Sequence, residues 1–366
     1  MKRKKLLCIV QHRYDRSPGQ RFRIEQFLPH LEANGWDITY SNIISEKDDA
    51  VFYASGRYFG KFRIMMKSWL HRLRDLQRAN RYDAIFIYRE AFMLGSTFFE
   101  KRLSKKKPPL IFDFDDAIWL NDTSIGNQNL SWIKKPEKTA KICRYATVVT
   151  TGNDYLANYA RQFNDNVRVF PTVINTHYHQ PSDISSNKKI CIGWTGTEPT
   201  LKHFNTALPV LKQLYKKYGN KISFRLIVNF SYECPELPIE VIQWNKSTEI
   251  QDLSDINIGI MPLPDNEWTR GKCGFKGLQY MALEIPTIMS PVGVNSDIIQ
   301  DGENGFLAGK DEEWFNKLSQ LIESEELRTK LGKTGRETVK KHYSRQAWQQ
   351  DFLNFMESMT SQAGKS

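Results

Sequence analysis

Short apolar segments typical of β-strands alternate with amphipathic segments typical of α-helices along nearly the whole chain. The strand-like segments of the first half are KLLCIV, WDITYSNI, YDAIFIYRE, PLIFDFDD, YATVVTTG and NVRVFP. Those of the second half are KICIGWTGT, SFRLIVNF, VIQWN, INIGIMPL and IPTIMSP. Strands separated by helices predict a parallel sheet with helices on both of its faces, and therefore an α/β protein.

A change of composition divides this alternation into two blocks of similar size. Residues Pro171–Lys189 are rich in Pro, Ser, Thr and Asn and show little periodicity, which predicts a linker. The 366 residues are also too many for one ordinary hydrophobic core. We therefore predict two doubly wound, Rossmann-like domains, residues 1–175 and 187–342, that face each other across a cleft. In such sheets ligands bind beyond the carboxyl ends of the strands.

The last segment, residues 343–366, is predicted to consist of a helix and a tail. Trp348, Phe352 and Phe355 fall roughly on one stripe of the helix. The last seven residues, TSQAGKS, are predicted to be disordered, as chain termini often are.

The bulk composition favours an anionic partner and a reducing compartment. A formal net charge of +11 indicates nucleic acid, acidic lipid or a phosphorylated ligand, unless the basic surface is inert. The five cysteines are scattered and none forms a C-x-x-C pair, so a zinc site and a disulfide scaffold are disfavoured and the cytoplasm is expected. The apolar run Leu6–Val10 is too short for a signal peptide and is predicted to be a strand. No apolar run approaches the roughly 20 residues that span a bilayer.

The stretch RGKCGFKGLQYMALE places three cations among three glycines directly before an apolar helix. The cations are Arg270, Lys272 and Lys276, and the glycines are Gly271, Gly274 and Gly277. Glycines allow a close approach of the backbone, and the N–H groups and dipole of a helix N-terminus attract anions. The stretch therefore predicts a phosphate site; the alternative is a solvated basic loop, on which Trp268 and Phe275 would be poorly placed. Gln279, on the helix, either binds a ribose hydroxyl or faces water.

The segment GWTGTEPTLKHF, which follows the first strand of the second half, is a second candidate phosphate loop. Gly193 and Gly196 permit a tight turn, Thr197 offers a hydroxyl group, and Lys202 lies in the first turns of the next helix. A glycine-rich turn before a helix is also common without any ligand.

The first half offers a loop and a group of carboxylates. In HRYDRSPGQRFR, Ser17, Gly19 and Arg21, with Arg23, either face an anion or are structural. In IFDFDDAIW, three carboxylates end a strand: Asp113, Asp115 and Asp116. Carboxylates placed together repel each other, so they need a metal ion, sugar hydroxyls or a helix to cap. Asp113 and Asp115 also form the D-x-D pattern of metal-dependent sugar transferases.

Residues 57–81 are predicted to form a basic amphipathic helix. Its apolar residues are Phe62, Met65, Met66, Trp69, Leu70, Leu73 and Leu76. Lysines and arginines occupy much of the remainder, and Asp75 is the only acid between Lys61 and Arg81. Such a helix fits the surface of an anionic membrane, where each basic residue contributes about 1 kcal/mol. The alternative is a core helix with a solvated basic face.

Several of these segments together resemble a known family. In the second half, the segments IGWTGT and LK are followed by IGIMPLPDNEWTRGKCGFKGLQYMALEIPTIMSPVGVNSDIIQDGENGFLA. Together these segments resemble the retaining glycosyltransferases of family 4, also called group 1, which have the GT-B fold. SPGQRFRIEQFLPHLEANGWDIT and IFDFDDAIW resemble the branch of that family found in bacterial surface-polysaccharide loci. The resemblance extends over nearly the whole chain, and Ile256–Leu307 is its most specific part.

The resemblance implies a fold, a reaction and its partners. A nucleotide-diphosphate sugar of the UDP or GDP type would bind mostly to the second domain, and a glycan or lipid-linked acceptor mostly to the first. The final helix, near Arg345–Met359, would return to the first domain. The family typically needs no metal ion or other cofactor, which counts against the D-x-D reading, and no nucleic acid is expected as a partner. The protein would act in the cytoplasm or at the inner face of the plasma membrane.

The chain departs from the family pattern at its acidic pair and at one arginine. The two glutamates, eight positions apart, fall near Gly271 and on Gln279, so both carboxylates are absent. Glu267 or backbone groups would have to replace the first. The arginine of the first phosphate loop falls on Thr197, whereas Lys202 matches the family's lysine. These changes imply either an altered donor or a protein that binds a donor without turning it over.

We expect the following roles if the resemblance holds. Lys202 and Lys272 stabilise the charge on the leaving phosphate, and Asp115 or Asp116 orients the acceptor hydroxyl. Ser17, Gly19 and Arg21 lie on the acceptor side. The donor is bound by Gly196, Thr197, Arg270, Gly274, Phe275, Lys276 and Gln279, with helix N-termini at Gly196 and Gly274.

Rival functions remain open. A nucleotide-sugar epimerase would use the same fold, and a non-enzymatic nucleic-acid binder would suit the net charge but not the glycine–lysine loops. A nicotinamide dehydrogenase fits less well, because no G-x-G-x-x-G follows a strand.

Overall fold

The computed structural model describes residues 3–54, 56–120, 135, 137–182 and 189–362. They form two compact units of similar size. The first runs to Thr172 and also includes the chain from Trp348 onwards, and the second is Val173–Ala347.

The first unit contains one parallel six-stranded sheet in the order β2-β1-β3-β4-β5-β6. Its strands are β1 (Lys4–His12), β2 (Trp36–Ile44), β3 (Ala84–Tyr88), β4 (Leu110–Phe114), β5 (Val148–Thr151) and β6 (Val167–Val169). Its helices are α1 (Pro18–Arg21), α2 (Ile24–Ala33), α3 (Glu46–Phe52), α4 (Tyr58–Arg78), α5 (Phe98–Leu103), α6 (Lys138–Tyr145) and α7 (Asp154–Arg161). All residues of β3, β4 and β5 are buried, because helices cover both faces of the sheet.

The second unit contains another parallel six-stranded sheet, in the order β12-β11-β10-β7-β8-β9. Its strands are β7 (Ile190–Thr195), β8 (Ile222–Val228), β9 (Ile239–Gln243), β10 (Ile258–Met261), β11 (Thr287–Met289) and β12 (Phe306–Leu307). Its helices are α8 (Leu201–Asn205), α9 (Leu208–Tyr218), α10 (Glu249–Ser254), α11 (Glu267–Arg270), α12 (Phe275–Ala282), α13 (Asn295–Ile298), α14 (Asp311–Glu323) and α15 (Glu325–Thr338).

The segment predicted as a linker is largely part of the second unit. The N–H of Ile174 donates to the carbonyl of Tyr343 at 2.8 Å. The guanidinium of Arg336 donates to the carbonyl of His179 at 2.9 Å and to the side chain of Gln180 at 3.0 Å. These bonds attach the chain from Val173 onwards to the second unit. The first unit therefore ends at Thr172 rather than at residue 175. Part of the predicted linker, residues 183–188, lies outside the described residues.

The last helix, α16 (Arg345–Gln362), packs within the first unit. The ring of Phe352 stacks on Phe27 at 4.3 Å between centroids, and Phe355 lies 5.2 Å from Phe170. Trp36 donates its indole N–H to Glu357 at 3.0 Å. The predicted aromatic stripe is therefore the packing face. The helix includes the first three residues of the tail that was predicted to be disordered, residues 360–362. The other four residues of that tail, 363–366, lie outside the described residues.

Helix α4 differs from the prediction in one respect. Part of its polar face is directed into the interior of the first unit. The guanidinium of Arg72 donates to the carbonyls of Ser41 and Val10 at 3.0 and 2.6 Å. It also pairs with Asp75 at 2.8 Å, and both side chains are fully buried. Strand β2 is an edge of the sheet and lacks a second neighbouring strand, and Arg72 donates to one of its carbonyl groups, that of Ser41.

The apolar residues of α4 are consequently divided between two environments. Trp69 packs against Phe92, Phe98 and Phe99. In contrast, four apolar side chains lie on the surface, which we call the α4 stripe: Phe59 (83% exposed), Phe62 (57%), Met66 (47%) and Leu70 (53%). Among the described residues, no helix is long and apolar enough to cross a bilayer.

Each sheet reverses its strand order at one point, and this positions the candidate site. In the first unit the reversal lies between β1 and β3, and in the second between β7 and β10. Loops that follow two such strands run in opposite directions and leave a crevice at the carboxyl edge, where ligands bind in folds of this type.

Candidate functional site

Three loops meet at the carboxyl edge of the second sheet, after β7, β10 and β11. The N–H of Thr195, at the end of β7, donates to the hydroxyl of Tyr280 in α12 at 2.9 Å. The N–H of Leu263 donates to the hydroxyl of Ser290 at 2.9 Å, which joins the loops after β10 and β11. Gly293 has a positive φ of 55°, and a Cβ there would lie 2.5 Å from the carbonyl oxygen of Arg270. These contacts place both predicted phosphate loops at one edge.

The loop after β7 is not the helix N-terminus that was predicted at Gly196. The N–H of Gly196 donates to the carbonyl of Ile227 at 3.1 Å, and that of Thr197 donates to the hydroxyl of Thr200 at 3.0 Å. Helix α8 begins only at Leu201, after a single 3-10 turn. Because these N–H groups already have protein acceptors, they do not bind a diphosphate in this conformation. Gly196 is needed for packing, since a Cβ there would lie 2.0 Å from the ring of Trp194.

The loop before α12 has the predicted form. Gly274 occupies the N-cap position with a left-handed φ of 68°, and α12 begins at Phe275. Glycine adopts this conformation without strain and leaves the first turn without a side-chain cap. The positive end of the helix dipole therefore lies beside Phe275 and Lys276, both of which are partly exposed.

The cations around this turn have different surroundings. The ammonium of Lys276 lies 5.6 Å from the ring centroid of Trp194, and that of Lys272 lies 4.8 Å from the ring centroid of Trp268. Arg270 instead forms a two-point ion pair with Asp265, at 2.7 and 3.1 Å. This pairing lowers the pKa of Asp265. The charge of Arg270 is thus largely balanced within its own loop, which the sequence prediction missed.

The sequence prediction missed a buried histidine on which the charges of lysines from both segments act. The imidazole of His203, in α8, is 3% exposed, and neither ring nitrogen has a hydrogen-bond partner. Burial, together with the charges of Lys272, Lys276 and Lys202, lowers its pKa to about 4. We call these four residues the lysine–histidine cluster. The signal was present in the sequence, since His203 directly follows Lys202.

Gln279 is buried beneath this edge. Its side chain is 2% exposed, and its amide nitrogen lies 3.4 Å from Nε2 of His179. Nδ1 of His179 lies 3.2 Å from the carbonyl of Asn175, so Nε2 is the acceptor of the pair. The ribose contact of Gln279 therefore stays a prediction.

In the first unit, the first carboxylate of the D-x-D pattern is paired with an arginine in the core. Asp113 is 1% exposed and forms a two-point ion pair with Arg23, at 2.5 and 3.1 Å. Thr150 donates its hydroxyl to the same carboxylate at 2.7 Å. Arg23 thereby has the structural role that the sequence left open, and Asp113 points into the core. Among the described residues, no group of three metal-ligating side chains is present.

Asp115 and Asp116 are held together by an arginine that the sequence prediction missed. Arg89 donates to Asp115 at 2.7 and 2.9 Å and to Asp116 at 2.5 Å. Its φ of 61° is left-handed, which is unusual for a residue other than glycine and often marks a functional site. The hydroxyl of Tyr88 donates to Asp115 at 2.7 Å. No helix begins at residue 117, so Asp116 is not an N-cap.

The predicted anion-facing loop lies beside these carboxylates. A Cβ on Gly19 would lie 2.0 Å from the hydroxyl of Tyr88 and 3.2 Å from Asp115, so only glycine fits there. Arg21 is 6% exposed and pairs with Asp15 at 2.9 Å, which balances its charge. Ser17 is the N-cap of α1 but forms no capping bond with its side chain. The loop therefore carries less free positive charge than its sequence indicates.

A family model matches part of the second unit, including the loop before α12. Residues 266–338, from the N-cap of α11 to the end of α15, match the family model "Glycosyl transferases group 1". By this match, residues 266–338 resemble the corresponding segment of group 1 glycosyltransferases. The matched segment includes Lys272, Lys276 and the start of α12. No curated protein matches the chain.

Solved glycosyltransferase structures share the fold of the whole chain. Sucrose-phosphate synthase from Thermosynechococcus elongatus superposes with a TM-score of 0.71 at 13% identity, over 98% of this chain and 100% of that one. A glycosyltransferase from Rickettsia africae gives 0.68 at 12% identity, over 98% and 99%. Anabaena HepE, solved in complex with UDP and glucose, gives 0.67 at 12% identity, over 97% and 100%. The predicted fold class, GT-B with two Rossmann-like domains, is confirmed.

Proposed function

We propose that this protein is a glycosyltransferase that moves a sugar from a nucleotide-diphosphate sugar to a glycan or lipid-linked acceptor with retention of configuration. The observation that carries the proposal is the lysine–histidine cluster, in which a buried imidazole without hydrogen-bond partners is acted on by the charges of three lysines. It lies at the reversal point of the second sheet and beside the N-terminus of α12. The group 1 match over this edge and the UDP complex of HepE support the same donor class.

The cluster suits the charge that develops during the reaction. When the bond from the sugar's anomeric carbon to the diphosphate breaks, its electron pair stays on the phosphate oxygen. Lys202, Lys272 and the first turn of α12 stabilise that added charge more strongly than the charge of the bound donor. Retention, which we propose from the sequence resemblance, requires the acceptor oxygen to bond on the face that the diphosphate leaves.

The acceptor side of the proposal rests on the first unit. Asp115 and Asp116 present carboxylate oxygens that accept hydrogen bonds from an acceptor hydroxyl, and Arg89 fixes their orientation. We propose that transfer needs no divalent cation, because the side chain of Asp113 is directed to Arg23 rather than to Asp115. Because the family's two glutamates are absent near Gly271 and at Gln279, the alternative function is a protein that binds the donor but turns it over slowly.

Thermal unfolding with nucleotides tests the donor site. UDP, GDP, ADP and CMP are added separately, each with and without EDTA. A ligand at about 100 times its dissociation constant stabilises the fold by roughly 2.7 kcal/mol. We expect a shift with UDP or GDP that EDTA does not change. A shift with none of the four would remove the nucleotide site, whereas binding without transfer to any added acceptor would favour the slow alternative.

A lipid-linked acceptor in surface-polysaccharide synthesis would place the protein at the inner face of the plasma membrane. The α4 stripe fits this location. Its side chains are spaced three or four residues apart, so they lie along one side of the helix. Of the eight lysines and arginines in residues 57–81, five are exposed: Arg57, Arg63, Lys67, Arg74 and Arg81. Exposed apolar residues beside basic ones match the boundary between acyl chains and anionic headgroups.

Sedimentation with vesicles tests this contact. We expect binding to phosphatidylglycerol vesicles, weaker binding at high salt, and little binding to phosphatidylcholine. Replacing Phe59 and Phe62 by serine should weaken binding at least tenfold, because partial burial of each phenylalanine contributes on the order of 1 kcal/mol. Tyr178→Ser, which alters an exposed aromatic residue of the second unit, is the control. Equal binding by all variants would exclude the α4 stripe.

A further inference from the structure

The imidazole of His203 is buried without any hydrogen bond, and this is the starting observation. Most buried polar atoms in proteins have a partner, and leaving one unpaired destabilises the fold. Here both ring nitrogens lack a partner, although the residue is only 3% exposed. Its neighbour Phe204 packs instead with Trp194 at 5.5 Å, as a core residue does. An unsatisfied imidazole in this position is more typical of a binding site than of a core.

The charges around His203 indicate what would satisfy it. The groups that act on it electrostatically are Lys202 from its own helix, Lys272 from the loop after β10 and Lys276 from α12. All three are cations, so they repel one another and disfavour a proton on the ring. An anion with at least two charges would relieve this repulsion and accept a hydrogen bond from the ring N–H. A diphosphate has both properties.

We propose that His203 binds the diphosphate of the donor through its ring N–H and takes up a proton from solvent when the diphosphate enters the lysine–histidine cluster. This inference rests on the proposed function and deepens it by assigning a specific residue and a linked proton. It does not follow from the resemblance, which assigns no role to this position.

The direction of the linkage follows from the charges. In the free protein, burial and the three lysines hold the pKa of His203 at about 4, so the ring is neutral at neutral pH. A bound diphosphate adds negative charge beside the ring and raises this pKa. Wherever the bound protein holds more protons than the free protein, affinity rises as the pH falls. The donor should therefore bind more tightly at about pH 6 than at about pH 8.

Calorimetric titration of the full-length protein tests the proposal. The probes are UDP-glucose, GDP-mannose and ADP-glucose, because the diphosphate of a nucleotide sugar does not itself titrate near neutral pH. For the probe that binds, we expect about three- to tenfold tighter binding at about pH 6 than at about pH 8. In two buffers of different ionisation enthalpy, the heats should report net proton uptake.

Two substitutions separate a binding role from a packing role. His203→Gln retains an N–H donor but cannot titrate, so it should bind the probe within about threefold of wild type at pH 8 and lose the pH dependence. His203→Leu removes the donor and should weaken binding roughly tenfold or more at both pH values, while thermal stability is unchanged or higher. His177→Gln, at an exposed histidine of the same unit, should behave as wild type.

The outcomes distinguish this proposal from the proposed function. Wild-type binding that shows no proton uptake, or that is equal in both variants, overturns the role of His203 and leaves the nucleotide-sugar site standing. If both variants lose thermal stability but bind the probe as wild type does, His203 is a packing residue and the proposal fails. If the wild type binds none of the three probes, the donor site and the role of His203 both fail.

Discussion

Replacing Lys272 by alanine is expected to lower the turnover number about 10²–10³-fold, with little change in the thermal unfolding midpoint. Removing a single group that stabilises transition-state charge in an enclosed site typically has an effect of this size. Lys272 is partly buried, lies at the reversal point of the second sheet, and its charge helps to lower the pKa of His203. Its contact with Trp268 is worth only about 0.5–1 kcal/mol at a partly exposed site, so the fold should persist. Steady-state kinetics with the donor that shifts the melting temperature is the measurement.

The controls for Lys272 separate chemistry from binding. Lys333→Ala, at an exposed lysine of α15, removes the same charge from the same unit and should leave turnover unchanged. If Lys272→Ala raises KM but not kcat, the lysine binds donor and transition state equally and is not specific to the chemistry. Turnover equal to that of wild type would exclude Lys272 from the site.

The fold could be predicted because its signals are local. The strands β1 and β3 contain the uninterrupted apolar runs Leu6–Val10 and Ala84–Tyr88, as strands covered on both faces do. Helical segments between them dictate parallel strands, since a parallel connection must cross over the sheet. The stripe of Phe352 and Phe355 likewise predicted a packing face for α16. The boundary at Thr172 was less predictable, because Arg336 holds His179 from 157 residues away.

The site could be predicted only in part, because its chemistry depends on pairs that are distant in sequence. Glycine before a helix at Gly274 is a local signal, and the structure has the turn that it predicted. The acceptors that occupy the N–H groups of Gly196 and Thr197 include Ile227, thirty-one residues further on, and no local pattern reveals that bond. Arg23 and Asp113 look like functional residues until their pairing across 90 residues is known. The inward face of α4 was missed for a related reason, because Arg72 donates hydrogen bonds to backbone carbonyls of β1 and β2, which are distant in sequence.

Replacing Arg23 by alanine is expected to destabilise the first unit by about 3–5 kcal/mol. Breaking a buried ion pair from one side leaves the other charge desolvated and unpaired, and this cost exceeds the worth of the pair itself. Arg23 and Asp113 are 3% and 1% exposed, and Arg23 also donates to the carbonyl of Phe170. For a unit of this size, the loss corresponds to a decrease of roughly 10 °C in the midpoint of its unfolding transition, as measured by calorimetry.

A double-variant cycle tests whether the pair, rather than the arginine alone, is responsible. Arg23→Met combined with Asp113→Asn removes both charges and keeps an acceptor for the hydroxyl of Thr150, so it should be more stable than Arg23→Met alone. If Asp113 were instead a metal ligand, Asp113→Asn would abolish a Mn²⁺-dependent activity while leaving the unfolding midpoint nearly unchanged. We expect the reverse, a lower midpoint and an activity that does not respond to Mn²⁺ or EDTA, because the carboxylate of Asp113 serves to balance a charge inside the core.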